Sequence, residues 1–171
     1  VLGYNGFFSN STGYNNTAIG HEVLYDNTSG TSNTAIGRRA LYSNTRGNFN
    51  TAAGYNALFR NTEGYANVAI GSSALYSNIS GAYNVAVGNN AMDENETGSF
   101  NTAVGIGALY ENESGSTNTA TGYEALHENI SGKKNTVSGF KALYSNTEGS
   151  YNTASGDQAM YSNTEGDSNV A

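Results

Sequence analysis

The chain has 171 residues, a formal charge of −7, 22 glycines, and no proline, cysteine or tryptophan. Only 7 Lys and Arg stand against 14 Asp and Glu, which argues against nucleic acid or an anionic membrane surface as a partner, since both are held by clustered basic side chains. No apolar run approaches membrane-spanning length, so direct membrane insertion is not expected, and with no cysteine there is no disulfide to read.

One phrase then recurs every seventeen residues without insertion or deletion. Asn16, Asn33, Asn50, Asn67, Asn84, Asn101, Asn118, Asn135, Asn152 and Asn169 open successive units of the form N-T-A-I-G-x-x-A-L-Y-x-N-T-x-G-x-x. One unit is too short to bury its own apolar face, so strict repetition predicts a solenoid whose units stack on one another. The expected fold is all-β, a parallel β-solenoid of ten seventeen-residue coils forming a single repeat domain over residues 1–171. Val1 and Ala171 both fall at the third place of the unit, so the chain reads as an uncapped piece of a longer fibre.

Around one coil, the first place is always asparagine (Asn33, Asn50, Asn67, Asn84 in the middle of the chain), and so is the twelfth (Asn44, Asn61, Asn78, Asn95). Asparagine tolerates left-handed corners, and in register its amides can hydrogen-bond from coil to coil as ladders. Thr-Ala-Ile at the second to fourth places is predicted to be a short strand. Ala-Leu-Tyr at the eighth to tenth is predicted to be another, although one helical turn is the rival reading. Glycine holds the fifth place without exception (Gly20, Gly37, Gly54, Gly71, Gly88) and likewise the fifteenth (Gly30, Gly47, Gly64, Gly81). A place that never accepts a Cβ implies positive φ or close backbone approach, so both are read as coil corners.

Neighbours on a strand point to opposite faces. The third-place alanines and the Leu, Met or Phe of the ninth place are therefore expected inside. The fourth place (Ile19, Ile36, Ile70, Val87, Val104) and the tenth (Tyr25, Tyr42, Tyr76, Tyr110, Tyr144) are then expected outside. Two exposed apolar columns make a stripe that soluble monomers rarely tolerate, so these residues are the expected contact between copies of the chain.

The phrase N-T-A-I-G-x-x-A resembles the head repeat of YadA-type trimeric autotransporter adhesins. The match is carried by Asn67-Val68-Ala69-Ile70-Gly71 with Ala74 and by Asn84-Val85-Ala86-Val87-Gly88 with Ala91. It is also similar to the T-N-T-A-x-G repeats of bacterial surface fibres and phage-type tail fibres. The resemblance implies a left-handed β-roll, a homotrimer, and an extracellular or cell-surface adhesive fibre. The unit here is longer than the usual one of the adhesin family, and no anchor segment is recognised in the chain.

A solenoid that repeats every column offers few places where unlike residues converge, so no enzyme activity, cofactor or metal site is expected. His21 and His127 fall in different columns and are read as surface residues. Asp93, Glu94, Glu96, Glu111, Glu113 and Glu128 gather in neighbouring coils, where stacked carboxylates should face water rather than share a cation. N-glycosylation sequons at Asn10, Asn15, Asn27, Asn78, Asn95, Asn112 and Asn129 mostly fall in the asparagine ladder, where a sugar would destroy the stack. The variable sixth, seventh, sixteenth and seventeenth places carry Tyr4, Arg38, Tyr65, Tyr83, Phe100, Tyr123, Phe140 and Tyr151, rings that could stack on host or surface glycans. The expected function is thus a structural or adhesive fibre. The alternatives are a self-assembling, non-adhesive filament and an ice binder using the second-place threonines, although Val68, Val85 and Val170 interrupt that row.

Overall fold

The computed structural model describes residues 2–171, so the third-place Val1 lies outside them. Nine three-residue strands, β1 (Thr17–Ile19), β2 (Thr34–Ile36), β3 (Thr51–Ala53), β4 (Val68–Ile70), β5 (Val85–Val87), β6 (Thr102–Val104), β7 (Thr119–Thr121), β8 (Thr136–Ser138) and β9 (Thr153–Ser155), form one parallel sheet in chain order. Each residue pairs with the one seventeen places on, as in Ala35 with Ala52. The fold is a β-solenoid.

The register extends beyond the strands. The Thr34 N–H donates to the Asn50 carbonyl of the next coil, and the Gly37 N–H to the Ile19 carbonyl of the previous one. The Leu41 and Ser43 N–H groups reach forward to Ala57 and Phe59. Three strand residues per coil are too few to hold a sheet alone, and the alanine at the centre of most of them is a poor strand former. Backbone bonds around most of the circumference supply the difference, as required for buried peptide groups.

The third-place alanines and the ninth-place Leu41, Leu58, Leu75, Met92 and Leu109 are buried, and so is the eighth-place column of Ala40, Ala57, Ala74 and Ala91. That last column corrects the expected second strand. Ala-Leu-Tyr is a run of turns, in which ninth-place residues from Phe7 to Met160 have φ between 50° and 56°. Strict alternation would have put the eighth place outside. The left-handed backbone at the ninth place turns two successive side chains inward instead. Leucine in that region costs of order 1–3 kcal/mol. Burial of the side chain and the Leu41 N–H bond to the Ala57 carbonyl at 3.0 Å offset the cost in each coil.

The two glycine columns serve different needs. At the fifth place φ lies between 126° and 151°, closed to other residues. At the fifteenth place φ is not positive, and space decides. A Cβ on Gly47 would meet the Asn61 amide nitrogen and the Gly64 carbonyl oxygen, each 2.5 Å away.

Both asparagine columns lie in the interior, and they bond differently. Twelfth-place amides form a side-chain ladder, with Asn44 Nδ2 donating to Asn27 Oδ1 at 2.8 Å and Asn61 Nδ2 to Asn44 Oδ1 at 2.8 Å. First-place amides tie the coil to itself and to its neighbour. Asn33 Nδ2 donates to the Gly47 carbonyl at 2.8 Å, while Asn33 Oδ1 accepts the Asn50 backbone N–H at 2.9 Å. Of the sequon asparagines, Asn27, Asn78, Asn95, Asn112 and Asn129 are buried, which closes them to glycosylation in the folded rod.

Candidate functional site

Three surface columns could carry function. The first is the outward row of the sheet. Because β-strand side chains alternate, the buried third place leaves the second and fourth places facing out on one surface. There Ile19, Ile36, Ile70 and Val104 are 38–44% exposed, while Val87 and Ala53 are half-buried. Toward the end of the sheet the row turns polar, at Thr121, Ser138 and Ser155. The second-place threonines stand beside it at one-coil spacing, broken by Val68 and Val85.

The second column is the tenth place. Tyr25, Tyr42, Tyr76, Tyr110 and Tyr144 are half-buried. Their rings stack within the chain, Tyr25 on Tyr42 at 5.0 Å between centroids and Tyr144 on Tyr161 at 5.1 Å. Each ring is covered by its neighbours one rung away, as cross-strand aromatic pairs are. Burial pushes the Tyr42, Tyr110 and Tyr144 hydroxyls above their ordinary pKa. His127 belongs to this column too. It lies half-buried at the surface, 5.0 Å from Tyr110 and 4.9 Å from Tyr144, with a shielded Nδ1 that has no hydrogen-bond partner. His21 is half-buried against the Tyr4 ring, at 5.6 Å. Sequence reasoning missed the stack because it treated the tenth place as outward-facing, although an aromatic repeated in register is itself the signal.

Asp93 interrupts the ring column. Glu94, Glu96 and Glu113 are exposed, as expected of carboxylates facing water, but Asp93 is half-buried. Burial, with repulsion from the adjoining Glu94, pushes its carboxyl up to about 6 from an ordinary value of 3.8. An acid whose native pKa lies above its unfolded value supports the fold fully below the unfolded pKa and loses that support as pH rises through 6. Discounted for the solvent that still reaches it, the loss is roughly 1–2 kcal/mol by neutral pH. Asp93→Tyr should remove it. The gap in thermal midpoint between variant and wild type is expected to widen by several degrees from pH 4 to pH 7. A gap that stays constant across that range, followed by circular dichroism, would contradict the assignment.

The third surface is made of the rings beside the strands. Phe49, Tyr83, Phe100 and Tyr151 stand at the seventeenth place, two residues before a strand, where the backbone is again left-handed. Tyr55, Tyr123 and Phe140 stand two residues after one, at the sixth place, and Tyr4 holds the same place of the unit. All are exposed. Tyr83 stacks on Phe100 at 5.0 Å and Tyr123 on Phe140 at 5.3 Å, so each pair offers a continuous aromatic edge. Two seventh-place pairs of opposite charge meet between coils: Arg39 Nε lies 2.6 Å from Glu22, and its hydrogen bond holds that carboxyl below its usual range. Lys141 Nζ lies 3.0 Å from Glu124. Among the described residues no three His, Asp or Glu side chains converge to hold a metal ion.

No family model, curated protein or solved structure matches the chain. Geometry is therefore what the functional reading rests on.

Proposed function

We propose that this chain is the rod of an extracellular or cell-surface fibre, assembled as a homotrimer along the fourth-place row and presenting its outer rings for weak, multivalent contact with glycans. The observation that carries the reading is the exposed line of Ile19, Ile36, Ile70 and Val104 on a sheet held in register over nine strands. Apolar side chains repeated at one rung spacing form a long strip rather than scattered single residues, and sister chains are its natural cover. The tenth-place rings already cover one another, so the seam is assigned chiefly to the fourth place. Rigidity follows from the same construction, since bending would have to stretch backbone and asparagine ladders together. The stacked outer pairs support sugar binding, because pyranose faces pack on exposed rings and three copies multiply a weak contact.

Light scattering on the native particle tests the assembly. The expected mass is three times the chain's 17.8 kDa, and Ile36→Glu with Ile70→Glu should return it to one chain with the coil register retained. A wild-type monomer would remove the seam from the proposal. A glycan array tests adhesion separately, and a trimer that binds nothing there would be a structural spacer. The threonine-bearing sheet face, with its side chains one coil apart, favours one second reading, ice binding. Ice shaping by the monomer, lost when Thr34 and Thr51 are changed to lysine, would select it.

A further inference from the structure

The tenth-place column is interrupted once. On one side of the break Phe8, Tyr25, Tyr42, Phe59 and Tyr76 stack at 4.8–5.1 Å, and on the other Tyr110, His127, Tyr144 and Tyr161 stack at 4.9–5.1 Å. The rung between carries Asp93, whose side chain ends where a ring would begin. Tyr76 and Tyr110 thus each turn a face toward a rung without a ring. Two rungs of a β-stack span roughly 9.6 Å, so a flat group on the middle one lies about 4.8 Å from each ring. That is within the ~6 Å over which a cation is drawn to an aromatic face.

Two of the nine rings of this column, Tyr42 and Tyr144, have a seventh-place cation of the chain itself beside them. The Arg39 guanidinium lies 5.8 Å from the Tyr42 ring centroid, and Lys141 Nζ lies 5.2 Å from that of Tyr144. In the coils around Asp93 the seventh place holds Ser73, Asn90 and Gly107, none of which brings a charge. The Asp93 carboxyl is acted on by burial and by Glu94, with no cation set against it, and Glu94 and Glu111 add negative charge beside Tyr110. A carboxylate and two ring faces are therefore left for a cation that this stretch of chain does not supply.

We propose that Asp93, Tyr76 and Tyr110 form a slot for an arginine guanidinium presented by a partner polypeptide. The planar ion lies on the ringless rung between the two tyrosines and turns its N–H fork to the Asp93 carboxylate. Arginine fits better than lysine, because a guanidinium stacks on rings and binds a carboxylate through two parallel hydrogen bonds. The slot does not depend on the oligomer proposed above, since it is complete within one chain.

The test titrates N-acetyl-arginine methylamide into the full chain and follows the ring resonances of Tyr76 and Tyr110. Saturable shifts at these two rings are expected. Binding should weaken at least about fivefold in Asp93→Asn, which keeps the size and loses the charge, and about threefold for N-acetyl-lysine methylamide. Asp93→Tyr fills the rung, continues the stack and should abolish binding. No saturable shift in the wild type, or binding retained by Asp93→Tyr, overturns the proposal. Sedimentation of the titrated protein separates the sources of the guanidinium. If the probe dissociates copies of the chain, and Arg46→Gln with Arg60→Gln does the same, the arginine belongs to a second copy. An unchanged mass assigns it to a different polypeptide.

Discussion

Gly71→Ala is expected to cut the rod in two. The fifth-place backbone at Gly71 has φ of 132°, where an L side chain is strained by of order 1–3 kcal/mol. Space compounds the strain, since a Cβ there would lie 2.7 Å from the Gly88 carbonyl carbon and 3.3 Å from the Asn89 backbone nitrogen. These are main-chain atoms of the next coil, held in turn by the Gly88 N–H bond to the Ile70 carbonyl. Nothing flexible can move aside, so the two coils must separate locally. The combined loss is about 3 kcal/mol or more. In a solenoid each coil touches only its neighbours, so the damage is confined to one junction. Hydrogen exchange should keep protection in the coils around Asn33 and Asn135 and lose it near Asn84, and urea unfolding should change from one step to two. Unfolding of the variant within about 0.5 kcal/mol of wild type, in a single step, would refute this account of the fifth place.

The parallel all-β solenoid and its seventeen-residue register were legible in the sequence, because a period held without error leaves stacking as the arrangement in which every unit has the same surroundings. Repetition also marked which columns are invariant. What it cannot mark is backbone conformation, because a column of leucines looks the same on a strand as in the left-handed region. Pattern alone therefore places Leu24, Leu41 and Leu58 on a strand. Leucine carries no signature for φ near 50°, and the stack imposes it against intrinsic preference. The error propagated to the neighbouring places. With the ninth place left-handed, Ala40 turns inward and Tyr42 settles half-buried on Tyr25, so the aromatic column and the break at Asp93 came to light only with the structure. The glycine columns show the same limit. Absence of a Cβ was plain at both, yet Gly71 is required by its torsion and by the coil beside it, whereas Gly47 is required by its neighbours alone.

Asn78→Leu should be as damaging as Gly71→Ala, for a reason that lies in polar groups rather than in backbone. Asn78 is fully buried. Its Nδ2 donates to Asn61 Oδ1 at 2.7 Å and to the Gly81 carbonyl at 3.0 Å, and its Oδ1 accepts from Asn95 Nδ2 at 2.8 Å. Leucine has the same branching, is bulkier, and has none of these groups. Three bonds of about 1 kcal/mol net each are lost, and the Asn61 oxygen is left buried without a donor, which costs a further 1–3 kcal/mol. The total is roughly 4–6 kcal/mol, so the variant should unfold at far lower urea than wild type and lose exchange protection at Asn61 and Asn95. Asn78→Asp separates polarity from size. A carboxylate there faces the Asn61 oxygen and the Gly81 carbonyl with no proton to offer either, and both burial and those oxygens favour its neutral form. Its native pKa is therefore raised, and the variant should be least stable at neutral pH and recover as the carboxyl is protonated in acid. Equal stability of the aspartate variant at pH 4 and pH 7, relative to wild type at each pH, would mean that the twelfth-place column is held by shape alone. The amide ladder would then be a consequence of the stack rather than one of its causes.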